Sequence, residues 1–334
     1  MQKEKIKIAI VRLSALGDII HSASILPLLF EVLNKQYELT LHWYVDSANA
    51  EILQDSPYIH KLISLPLKAS LKNKNLKAIL EIYHTLKLES YDIVFDIQGL
   101  LKSAIITRLI KAKTRIGFKN PKESLATLFY NKKIPIPYKE HILLRNATLT
   151  LTPFNIEIPP LESLKTPKIF LGYKTKILPF ALLNTIKVLF VLETSKLNKT
   201  YPLESYLKLA ALFNSKNITP YFLTKNKLKI PQNAERFHHI FNLNLSQIKF
   251  LLSKMDLIIG GDTGITHLAW ALNRPSITLF GATPQERFNL DTKINHSISA
   301  NLNAAYKKND FSISKIPPES IFKLACALLE SKGK

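Results

Sequence analysis

Cysteine and glycine are scarce in this chain of 334 residues, which has one cysteine and nine glycines. The single thiol, Cys326, excludes an internal disulfide, and its apolar helical surroundings predict a small buried side chain. No zinc-type cysteine and histidine spacing, H-E-x-x-H motif, P-loop or G-x-G-x-x-G motif is present. The missing dinucleotide motif argues against a dehydrogenase.

Uninterrupted apolar runs of membrane-spanning length are also missing. Residues 177–192 are strongly apolar but contain Pro179, Asn184 and Lys187, whereas a spanning helix needs about 18 uninterrupted apolar residues. The apolar run 6–13 follows the first methionine almost at once and leaves no room for a secretory signal. We therefore expect a cytoplasmic protein that does not cross the membrane.

Acidic residues are few, 25 against 46 lysines and arginines, and the formal net charge is +21. Such a charge attracts polyanions, whether nucleic acid, an anionic membrane face or a phosphorylated and carboxylated glycolipid. Residues 61–145 carry 17 basic side chains against 6 acidic ones, so half of the excess lies in a quarter of the chain. For any single lysine, a solvated surface position is the simpler interpretation.

Short β-branched runs alternate with amphipathic segments of helix length, which predicts an α/β fold with doubly wound parallel sheets. The length favours two domains, and the proline- and lysine-rich segment near residue 160 is typical of a linker. The predicted parts are a first domain 1–160, a linker 161–184, a second domain 185–316 and a C-terminal helix within 317–334 that packs back on the first domain.

The predicted elements follow from hydrophobic periodicity. In the first half the strands are 6–13, 39–45 and 93–97, and the helices are 18–33 and 101–110. In the second half the strands are 186–192, 219–223, 257–259 and 276–280, and the helices are 203–213, 245–254, one from about residue 264, and 319–330.

Most of the glycines fall at or just after predicted strand ends: Gly17, Gly99, Gly117, Gly260, Gly261, Gly264 and Gly281. Glycine lets the backbone bend or approach a ligand closely, and open α/β sheets bind ligands at the carboxyl ends of their strands. The strand-to-helix turns are therefore the first candidates for a site.

The turn in residues 257–272, LIIGGDTGITHLAWAL, runs from a buried strand through glycines into a helix. Backbone N–H groups and the helix dipole there point at one spot, which suits a diphosphate. The alternative is structural, with Asp262 or Thr263 capping the helix and His267 a satisfied buried histidine. The turn by itself favours neither interpretation.

The turn in residues 12–21, RLSALGDIIH, places Asp18 between the first strand and the first helix. A carboxylate at this position is suited to removing a proton from an acceptor hydroxyl, as a general base. An aspartate that only caps the helix N-terminus is the simpler interpretation.

Two further turns carry polar side chains. Residues 96–104, DIQGLLKSA, offer Gln98 and Lys102 after a strand. Residues 193–202, ETSKLNKTYP, offer two hydroxyls and Lys199, whose charge is suited to neutralising a diphosphate.

Four motifs occur in the order and spacing of a known family: S-x-x-G-D at 14–18, D-x-Q-G-L-x-K-S-A at 96–104, K-x-aromatic-P at 199–202 and D-T-G-x-x-H-L at 262–268. Over nearly its whole length the chain resembles the ADP-heptose:lipopolysaccharide heptosyltransferases. The 96–104 motif and the run S-L-A-T-L-F-Y-N at 124–131 make it most similar to the lipopolysaccharide heptosyltransferase I type.

The resemblance implies a GT-B fold, in which two Rossmann-like domains face a central cleft. It also implies that ADP-L-glycero-D-manno-heptose binds the second domain and that the inner Kdo of Kdo2-lipid A binds the first. Transfer then inverts the anomeric centre, with no obligatory metal or other cofactor. Asp18 matches the catalytic base, while Lys199 and the turn at Asp262 stabilise the departing ADP.

The resemblance also implies binding residues. The donor set is Thr194, Ser195, Lys199, Leu243, Asp262, Thr263, Gly264 and His267, with Leu243 packing on adenine. The acceptor set is Ser14, Gly17, Gln98, Gly99, Lys102, Arg115 and Lys122. The family often has a glutamate for the ribose, but residues 224–229, TKNKLK, contain no acid, so a different ribose contact is expected.

The basic region 61–145 fits a lipid acceptor rich in phosphate and carboxylate groups, through side chains that include Arg115, Lys119, Lys122, Lys132 and Arg145. The same charge predicts salt-sensitive peripheral contact with the inner face of the cytoplasmic membrane, at about 1 kcal/mol for each nearby cation. No nucleic-acid partner is expected.

Three other functions remain open. A basic nucleic-acid-binding protein would bind with a steep salt dependence, although no aromatic RNA-binding signature is present. A non-catalytic ADP-sugar sensor would bind the donor and leave it intact. A heptosyltransferase with a different acceptor, of the heptosyltransferase II type, would transfer to another position or glycolipid.

Overall fold

The computed structural model describes residues 3–166, 168–228 and 237–331. The chain divides into two compact units, Met1–Gly172 and Tyr173–Lys334, and their boundary falls inside the predicted linker. The predicted limits of the domains and the linker stay predictions. Of those ranges, residues 1–2, 167, 229–236 and 332–334 lie outside the described residues.

The first unit is a parallel six-stranded sheet flanked by helices, within the described ranges. Its strands are β1 (Glu4–Val11), β2 (Tyr37–Asp46), β3 (Lys61–Leu65), β4 (Ser90–Asp96), β5 (Lys111–Phe118) and β6 (Lys132–Ile134). Its helices are α1 (Leu16–Ala23), α2 (Leu26–Leu33), α3 (Leu67–Lys72), α4 (Leu76–Lys87), α5 (Leu101–Leu109), α6 (Ile142–Leu151) and α7 (Leu161–Lys165). The strand order is β3-β2-β1-β4-β5-β6.

The second unit repeats this design over its own described residues. Its strands are β7 (Ile186–Val191), β8 (Ile218–Leu223), β9 (His238–Ile240), β10 (Leu257–Gly261), β11 (Ser276–Phe280) and β12 (Asn295–Ser299). Its helices are α8 (Leu203–Asn214), α9 (Leu245–Lys254), α10 (Gly264–Ala271), α11 (Gln285–Phe288) and α12 (Pro318–Ser331). The strand order is β12-β11-β10-β7-β8-β9.

Both sheets have the strand order of a Rossmann fold, in which the first strand of the unit pairs with the fourth. Ile10 of β1 lies opposite Phe95 of β4, and Phe190 of β7 lies opposite Ile259 of β10. The chain winds away from each pair in opposite directions, which opens a crevice at the carboxyl edge of the sheet. The α/β doubly wound prediction is confirmed, and the two strand pairs mark where ligand sites are expected.

The predicted helix 18–33 is in fact two helices, because α1 ends at Ala23 and α2 begins at Leu26. Pro27 in the first turn of α2 lacks a backbone N–H and cannot continue the ladder of the preceding helix. Leu16–Leu33 is the one stretch among the described residues that is long and apolar enough to cross a membrane. More than half of it is buried within the structure, as in the core helices of globular domains.

Helix α12 packs on α8 within the second unit. Its residues Ile321, Ala325 and Leu328 are buried in the core of that unit. Cys326 is partly exposed rather than buried as predicted, because one step beyond Ala325 the helix has turned by about 100° away from the core. The predicted contact of this helix with the first domain stays a prediction.

The free energy of unfolding is expected to fall as the pH drops below about 6.5, because of His42 on β2. This side chain is buried, and its Nδ1 lies 2.8 Å from the hydroxyl of Tyr91. Burial, reinforced by the charge of Lys7, lowers the pKa of His42 to about 4. The unfolded chain therefore binds a proton near pH 6.5 that the folded chain does not bind until about pH 4, which favours unfolding throughout this window.

Urea unfolding at a series of pH values measures this effect, which should reach about 3 kcal/mol between pH 7 and pH 4. In His42→Gln the stability should vary less steeply across the window. An equally steep dependence in the variant would assign the effect to other groups.

Candidate active site

Asp18 lies at the carboxyl end of β1 and is held by a buried arginine. Nη2 of Arg12 lies 2.8 Å from Oδ2 of Asp18, and Nη1 of the same guanidinium donates to the carbonyl of Ile97 at 2.9 Å. Arg12 is 6% exposed, whereas the side chain of Asp18 is 36% exposed. The carboxylate is thus oriented by a fixed cation and remains accessible to a substrate.

Asp18 is not the N-cap residue of its helix. It is the third residue of α1, whose N-cap is Ala15, and the N–H of Ala15 reaches Oδ2 of Asp18 only at 3.4 Å. The interpretation of Asp18 as an N-cap residue is therefore wrong, and the closer partner of the carboxylate is Arg12.

The turn after β4 lies beside the loop between β1 and α1, which precedes Asp18. Oε1 of Gln98 accepts the backbone N–H of Leu13 at 2.8 Å, and Nζ of Lys102 donates to Oγ of Ser14 at 3.1 Å. The structure thus brings together most of the predicted acceptor residues: Ser14, Gly17, Gln98, Gly99 and Lys102. Among them Lys102 is exposed and Gln98 is buried, so Lys102 is the better placed to meet an anionic acceptor.

Gly99 has a conformation that other residues rarely adopt. Its φ is 66°, and a Cβ at this position would lie 3.1 Å from the ring of Phe118 and 3.3 Å from Cβ of Pro121. The glycine is required by the left-handed backbone and by this close packing. Its role is to form the turn that directs Gln98 towards β1.

A buried carboxylate, Asp96, organises the same turn. Its Oδ1 accepts the backbone N–H groups of Gln98 at 2.9 Å and Gly99 at 3.0 Å, and its Oδ2 accepts the hydroxyls of Ser103 at 2.8 Å and Tyr130 at 2.7 Å. Burial raises the pKa of Asp96, and these four hydrogen bonds oppose the shift. Asp96 is absent from the predicted site residues, and the one signal for it in the sequence is its place at the head of the D-x-Q-G motif.

Tyr130→Phe is expected to lower the free energy of unfolding by about 1–3 kcal/mol, because the buried carboxylate of Asp96 loses one donor. The ring itself keeps its place, since it packs on Gly117 so closely that a Cβ there would lie 2.3 Å from it. Urea unfolding measures the loss, and Tyr83→Phe is the matched control because Tyr83 is exposed. Equal stability of the two variants would show that the Tyr130 hydroxyl does not support Asp96.

Two predicted acceptor residues lie apart from this cluster. The guanidinium of Arg115 donates to the carbonyls of Thr107 at 3.2 Å and Ile110 at 2.8 Å, at the end of α5 remote from Gln98. Lys122 is exposed in the loop after β5. For both residues a contact with the acceptor stays a prediction, and the contacts of Arg115 serve the fold.

The other basic residues of the region differ in exposure. Lys119 and Lys132 are exposed, whereas Arg145 is 3% exposed and lies over the rings of Phe118 and Tyr138, 4.3 and 5.3 Å from their centroids. Arg145 therefore serves the packing of the first unit, and its predicted contribution to a basic surface is wrong.

The second unit carries its polar side chains at the ends of β7 and β10. The loop after β7 packs directly on β10, since a Cβ on Gly261 would lie 2.3 Å from the carbonyl oxygen of Lys199. Oγ1 of Thr194 donates to the carbonyl of Lys196 at 2.7 Å and braces this loop, while Ser195 is exposed. The close approach of two backbones brings the predicted donor residues of both strands into one place.

Lys199, Asp262 and His267 form a row of charge-assisted contacts. Nζ of Lys199 lies 2.5 Å from Oδ2 of Asp262, and Nε2 of His267 lies 2.9 Å from Oδ1. Burial alone would raise the pKa of Asp262, but the hydrogen bond from His267 and the charge of Lys199 outweigh it, and the pKa is lowered well below its usual range. Asp262 is therefore ionised, and its charge is compensated before any phosphate approaches.

The N-terminus of α10 is not capped by a side chain. Thr263 is the N-cap residue but makes no side-chain capping hydrogen bond, and the carboxylate of Asp262 is engaged with Lys199 and His267. The prediction that Asp262 or Thr263 caps this helix by its side chain is wrong. Free amides and the positive end of the helix dipole at Gly264 are suited to an anion.

The loops after β8 and β9 carry the positions expected near adenosine. Leu243 is partly buried between β9 and α9. In the segment 224–229, which contains no acidic residue, Lys229 lies outside the described residues. Oε2 of Glu193, at the end of β7, accepts the backbone N–H of Lys225 at 2.6 Å. An acid therefore does reach this segment, from a neighbouring strand 32 positions earlier in the chain.

The two clusters suit different halves of a group transfer. In the first unit an oriented carboxylate is suited to removing a proton from a hydroxyl. In the second unit a lysine, hydroxyls and a helix N-terminus are suited to a diphosphate. No group of three or more His, Cys, Asp and Glu residues in the described ranges is arranged to hold a metal ion, and metal-independent chemistry stays a prediction.

Comparison with known proteins agrees with the motifs. The model of glycosyltransferase family 9 (heptosyltransferase) matches residues 79–319. The chain is 35% identical to lipopolysaccharide heptosyltransferase 1 of Campylobacter coli, over 95% of this chain and 97% of that one. Its identity with the protein of the same name from Escherichia coli K12 is 26%, over 83% of this chain and 88% of that one. The predicted similarity to the heptosyltransferase I type is confirmed.

Solved structures share the fold. The heptosyltransferase WaaC of E. coli with ADP superposes with a TM-score of 0.77 at 21% identity, over 97% of this chain and 100% of that one. The ADP-heptose lps heptosyltransferase II of E. coli gives a TM-score of 0.70 at 18% identity, over 98% of this chain and 100% of that one. The GT-B fold class is confirmed.

Proposed function

Because this chain belongs to glycosyltransferase family 9, the heptosyltransferases, we propose that it transfers heptose from ADP-L-glycero-D-manno-heptose to the inner Kdo of Kdo2-lipid A. It is then a glycosyltransferase of lipopolysaccharide inner-core synthesis. The observation that carries the proposal is the pair of polar clusters at equivalent strand pairs of the two units, one built around Asp18 and the other around Lys199 and Asp262.

The donor binds the second unit in this proposal. Its diphosphate lies against the N-terminus of α10, where Thr263 and Gly264 offer backbone N–H groups and Lys199 offers a cation. Thr194, Ser195 and His267 contribute polar contacts to the phosphates and the heptose, and Leu243 packs on adenine. Glu193 is the candidate acid for the ribose, because its carboxylate already reaches the backbone of Lys225.

Asp262 has a supporting role in donor binding. A carboxylate beside a diphosphate is repelled unless its charge is compensated. Its contacts with Lys199 and His267 supply that compensation, and they hold the ammonium group near the helix N-terminus. The cation is thus positioned before the donor arrives, so little reorganisation is needed as charge develops on the leaving ADP.

The acceptor binds the first unit. The carboxylate of Asp18, oriented by Arg12, takes the proton of the Kdo hydroxyl while the hydroxyl oxygen bonds to the anomeric carbon of heptose. The bond from that carbon to the diphosphate oxygen breaks with its electron pair, and ADP leaves from the opposite face. Inversion follows from this single in-line displacement. Ser14, Gly17, Gln98, Gly99, Lys102, Arg115 and Lys122 form the proposed acceptor surface.

The lipid acceptor implies that the protein acts at the membrane surface. A cytoplasmic enzyme that acts on a glycolipid must meet the inner face of the cytoplasmic membrane, and the net charge of +21 favours contact with its anionic lipids. We infer peripheral, salt-sensitive attachment and no nucleic-acid partner.

Incubation of the purified protein with ADP-heptose and Kdo2-lipid A tests the proposal. ADP release and the mass of the acceptor are followed together, and one heptose should be added for each ADP released. A different outcome is that the protein binds ADP-heptose, adds no heptose to Kdo2-lipid A and adds heptose to an acceptor that already carries one. That result would replace the proposed function by a heptosyltransferase II-type activity. Failure to bind ADP-heptose would contradict the proposal as a whole.

A further inference from the structure

Helix α4 has two apolar sides, of which one is unexplained by the fold. Ile82 and Leu86 are buried in the core of the first unit. Leu76, Leu80 and Tyr83 are 79%, 56% and 43% exposed, and their spacing of four and three residues places them in one line along the helix. An amphipathic surface helix normally turns polar residues to solvent, so this second apolar line indicates a function.

Exposed apolar residues also lie beyond both ends of α4. Leu71 of α3 is 62% exposed and Leu88 is 75% exposed. We call these five residues the α3–α4 face: Leu71, Leu76, Leu80, Tyr83 and Leu88. Single exposed apolar residues are common on protein surfaces, but several large ones on two successive helices favour a site of interaction.

The α3–α4 face is surrounded by positive charge. Residues 67–88 contain five lysines and one glutamate: Lys68, Lys72, Lys74, Lys77, Lys87 and Glu81. None of these lysines forms an ion pair with a described residue, and Nζ of Lys87 lies 5.4 Å from the centroid of the Tyr83 ring. Exposed leucines and a tyrosine between unpaired lysines are the composition of a helix that lies in the interface of an anionic bilayer.

The α3–α4 face begins at the same edge of the sheet as the proposed acceptor residues around Ser14 and Gln98. The backbone N–H of Lys68, in the first turn of α3, donates to Oδ2 of Asp46 at 2.9 Å. The backbone N–H of Asp46 in turn donates to the carbonyl of Leu13 at 3.2 Å, one residue before Ser14. Two hydrogen bonds therefore connect the start of α3 to the loop between β1 and α1, which precedes Asp18.

We propose that the α3–α4 face docks on an anionic lipid bilayer. Leu76, Leu80 and Tyr83 enter the boundary between headgroups and acyl chains, and the lysines meet phosphate groups. The docking itself stands on the exposed residues, while its purpose, delivery of a membrane-embedded acceptor to Asp18, rests on the proposed function. A second copy of the chain is disfavoured as the occupant, because a two-fold contact would bring the same lysines against each other.

Vesicle binding by a matched pair of variants tests the proposal. Leu76→Gln/Leu80→Gln alters the face. Ile177→Gln/Leu302→Gln alters two exposed apolar residues of the second unit, which are 78% and 80% exposed against 79% and 56% for Leu76 and Leu80. The full chain is sedimented with vesicles of phosphatidylcholine and phosphatidylglycerol, and with vesicles of phosphatidylcholine alone. The first variant should bind the anionic vesicles at least tenfold more weakly than wild type, and the second should bind as wild type does.

Circular dichroism and urea unfolding are used to check that both variants fold, which the exposure of all four positions leads us to expect. Equal vesicle binding by wild type and Leu76→Gln/Leu80→Gln would overturn the proposal. So would equal binding of wild type to anionic and neutral vesicles. A change in oligomeric state on size-exclusion chromatography, without a change in vesicle binding, would assign the face to a second copy instead.

Transfer assays separate this proposal from the proposed function. With acceptor embedded in anionic vesicles, Leu76→Gln/Leu80→Gln should transfer heptose at least tenfold more slowly than wild type. With a deacylated, water-soluble acceptor, the two should have equal kcat/KM, because neither leucine belongs to the acceptor or donor cluster. A different result would contradict the proposed function and still support the docking surface. In it, the wild type transfers heptose to neither acceptor, but Leu76→Gln/Leu80→Gln still binds anionic vesicles more weakly than the wild type does.

Discussion

Asp18→Asn is expected to reduce heptose transfer by about 10²–10⁴-fold, the usual contribution of a general base, with ADP-heptose affinity unchanged. The amide keeps the size of the carboxylate and its place beside Arg12, but it cannot take the proton of the acceptor hydroxyl. Single-turnover measurement of ADP release, with acceptor in excess, reports the chemical step. Isothermal titration with ADP measures donor affinity separately, because the nucleotide is proposed to bind the other unit.

Asp92→Asn is the matched control for that experiment. Asp92 also pairs with a cation, since its Oδ1 lies 2.8 Å from Nζ of Lys113, and its side chain is 31% exposed, but it sits near the amino end of β4. Its loss should leave the rate of transfer near that of wild type. Asp18→Asn also removes the anionic partner of a buried guanidinium, so its urea unfolding must be compared as well. A folded Asp18→Asn enzyme with the wild-type rate would remove Asp18 from the role of base.

Lys199→Met is expected to lower the rate of transfer by about 10²–10³-fold and to weaken ADP binding. The ammonium group lies 2.5 Å from Asp262, two residues before α10 begins at its uncapped N-terminus, where the diphosphate charge is proposed to grow as the bond to heptose breaks. The rate with saturating donor and the Kd for ADP are measured separately. A larger effect on the rate than on the Kd would assign Lys199 to the departing ADP rather than to the bound donor.

Asp262→Asn, alone and combined with Lys199→Met, shows whether the carboxylate acts through the lysine. If Asp262 serves to position Lys199, the two losses should be far from additive, and Asp262→Asn should cost little once Lys199 is gone. Lys187→Met is the matched control, since Nζ of Lys187 lies 3.6 Å from Asp256 and its side chain is 16% exposed. Additive losses would give Asp262 a separate contact with the donor.

The central strands and several helices can be read from the sequence because their residues interact with near neighbours in the chain. The strand at 276–280 coincides with β11, which is buried on both faces and rich in apolar and β-branched residues. The helix at 245–254 coincides with α9, which begins at a reciprocal capping box between Asn244 and Gln247. The inner strand β5 and the edge strands β3, β6, β9 and β12 are partly exposed and are not predicted.

The same distinction holds for the site. The turns at Asp18, Gln98, Lys199 and Asp262 stand out in the sequence because glycines and polar residues directly follow apolar strands. The residues that hold these side chains in place do not stand out in the sequence. Arg12 binds the carbonyl of Ile97 across 85 positions of the chain, and Asp96 accepts the hydroxyl of Tyr130 across 34.

The sequence alone therefore determined the α/β class, the strand-to-helix turns and the motifs of a glycosyltransferase, all of which depend on local pattern. Tertiary structure alone decided which side chains meet at those turns, because parallel pairing brings β1 beside β4 and β7 beside β10 from distant parts of the chain. It also decided which apolar side of α4 is buried. Both sides of that helix are apolar in the sequence, and only packing against the sheet leaves Leu76, Leu80 and Tyr83 to the solvent.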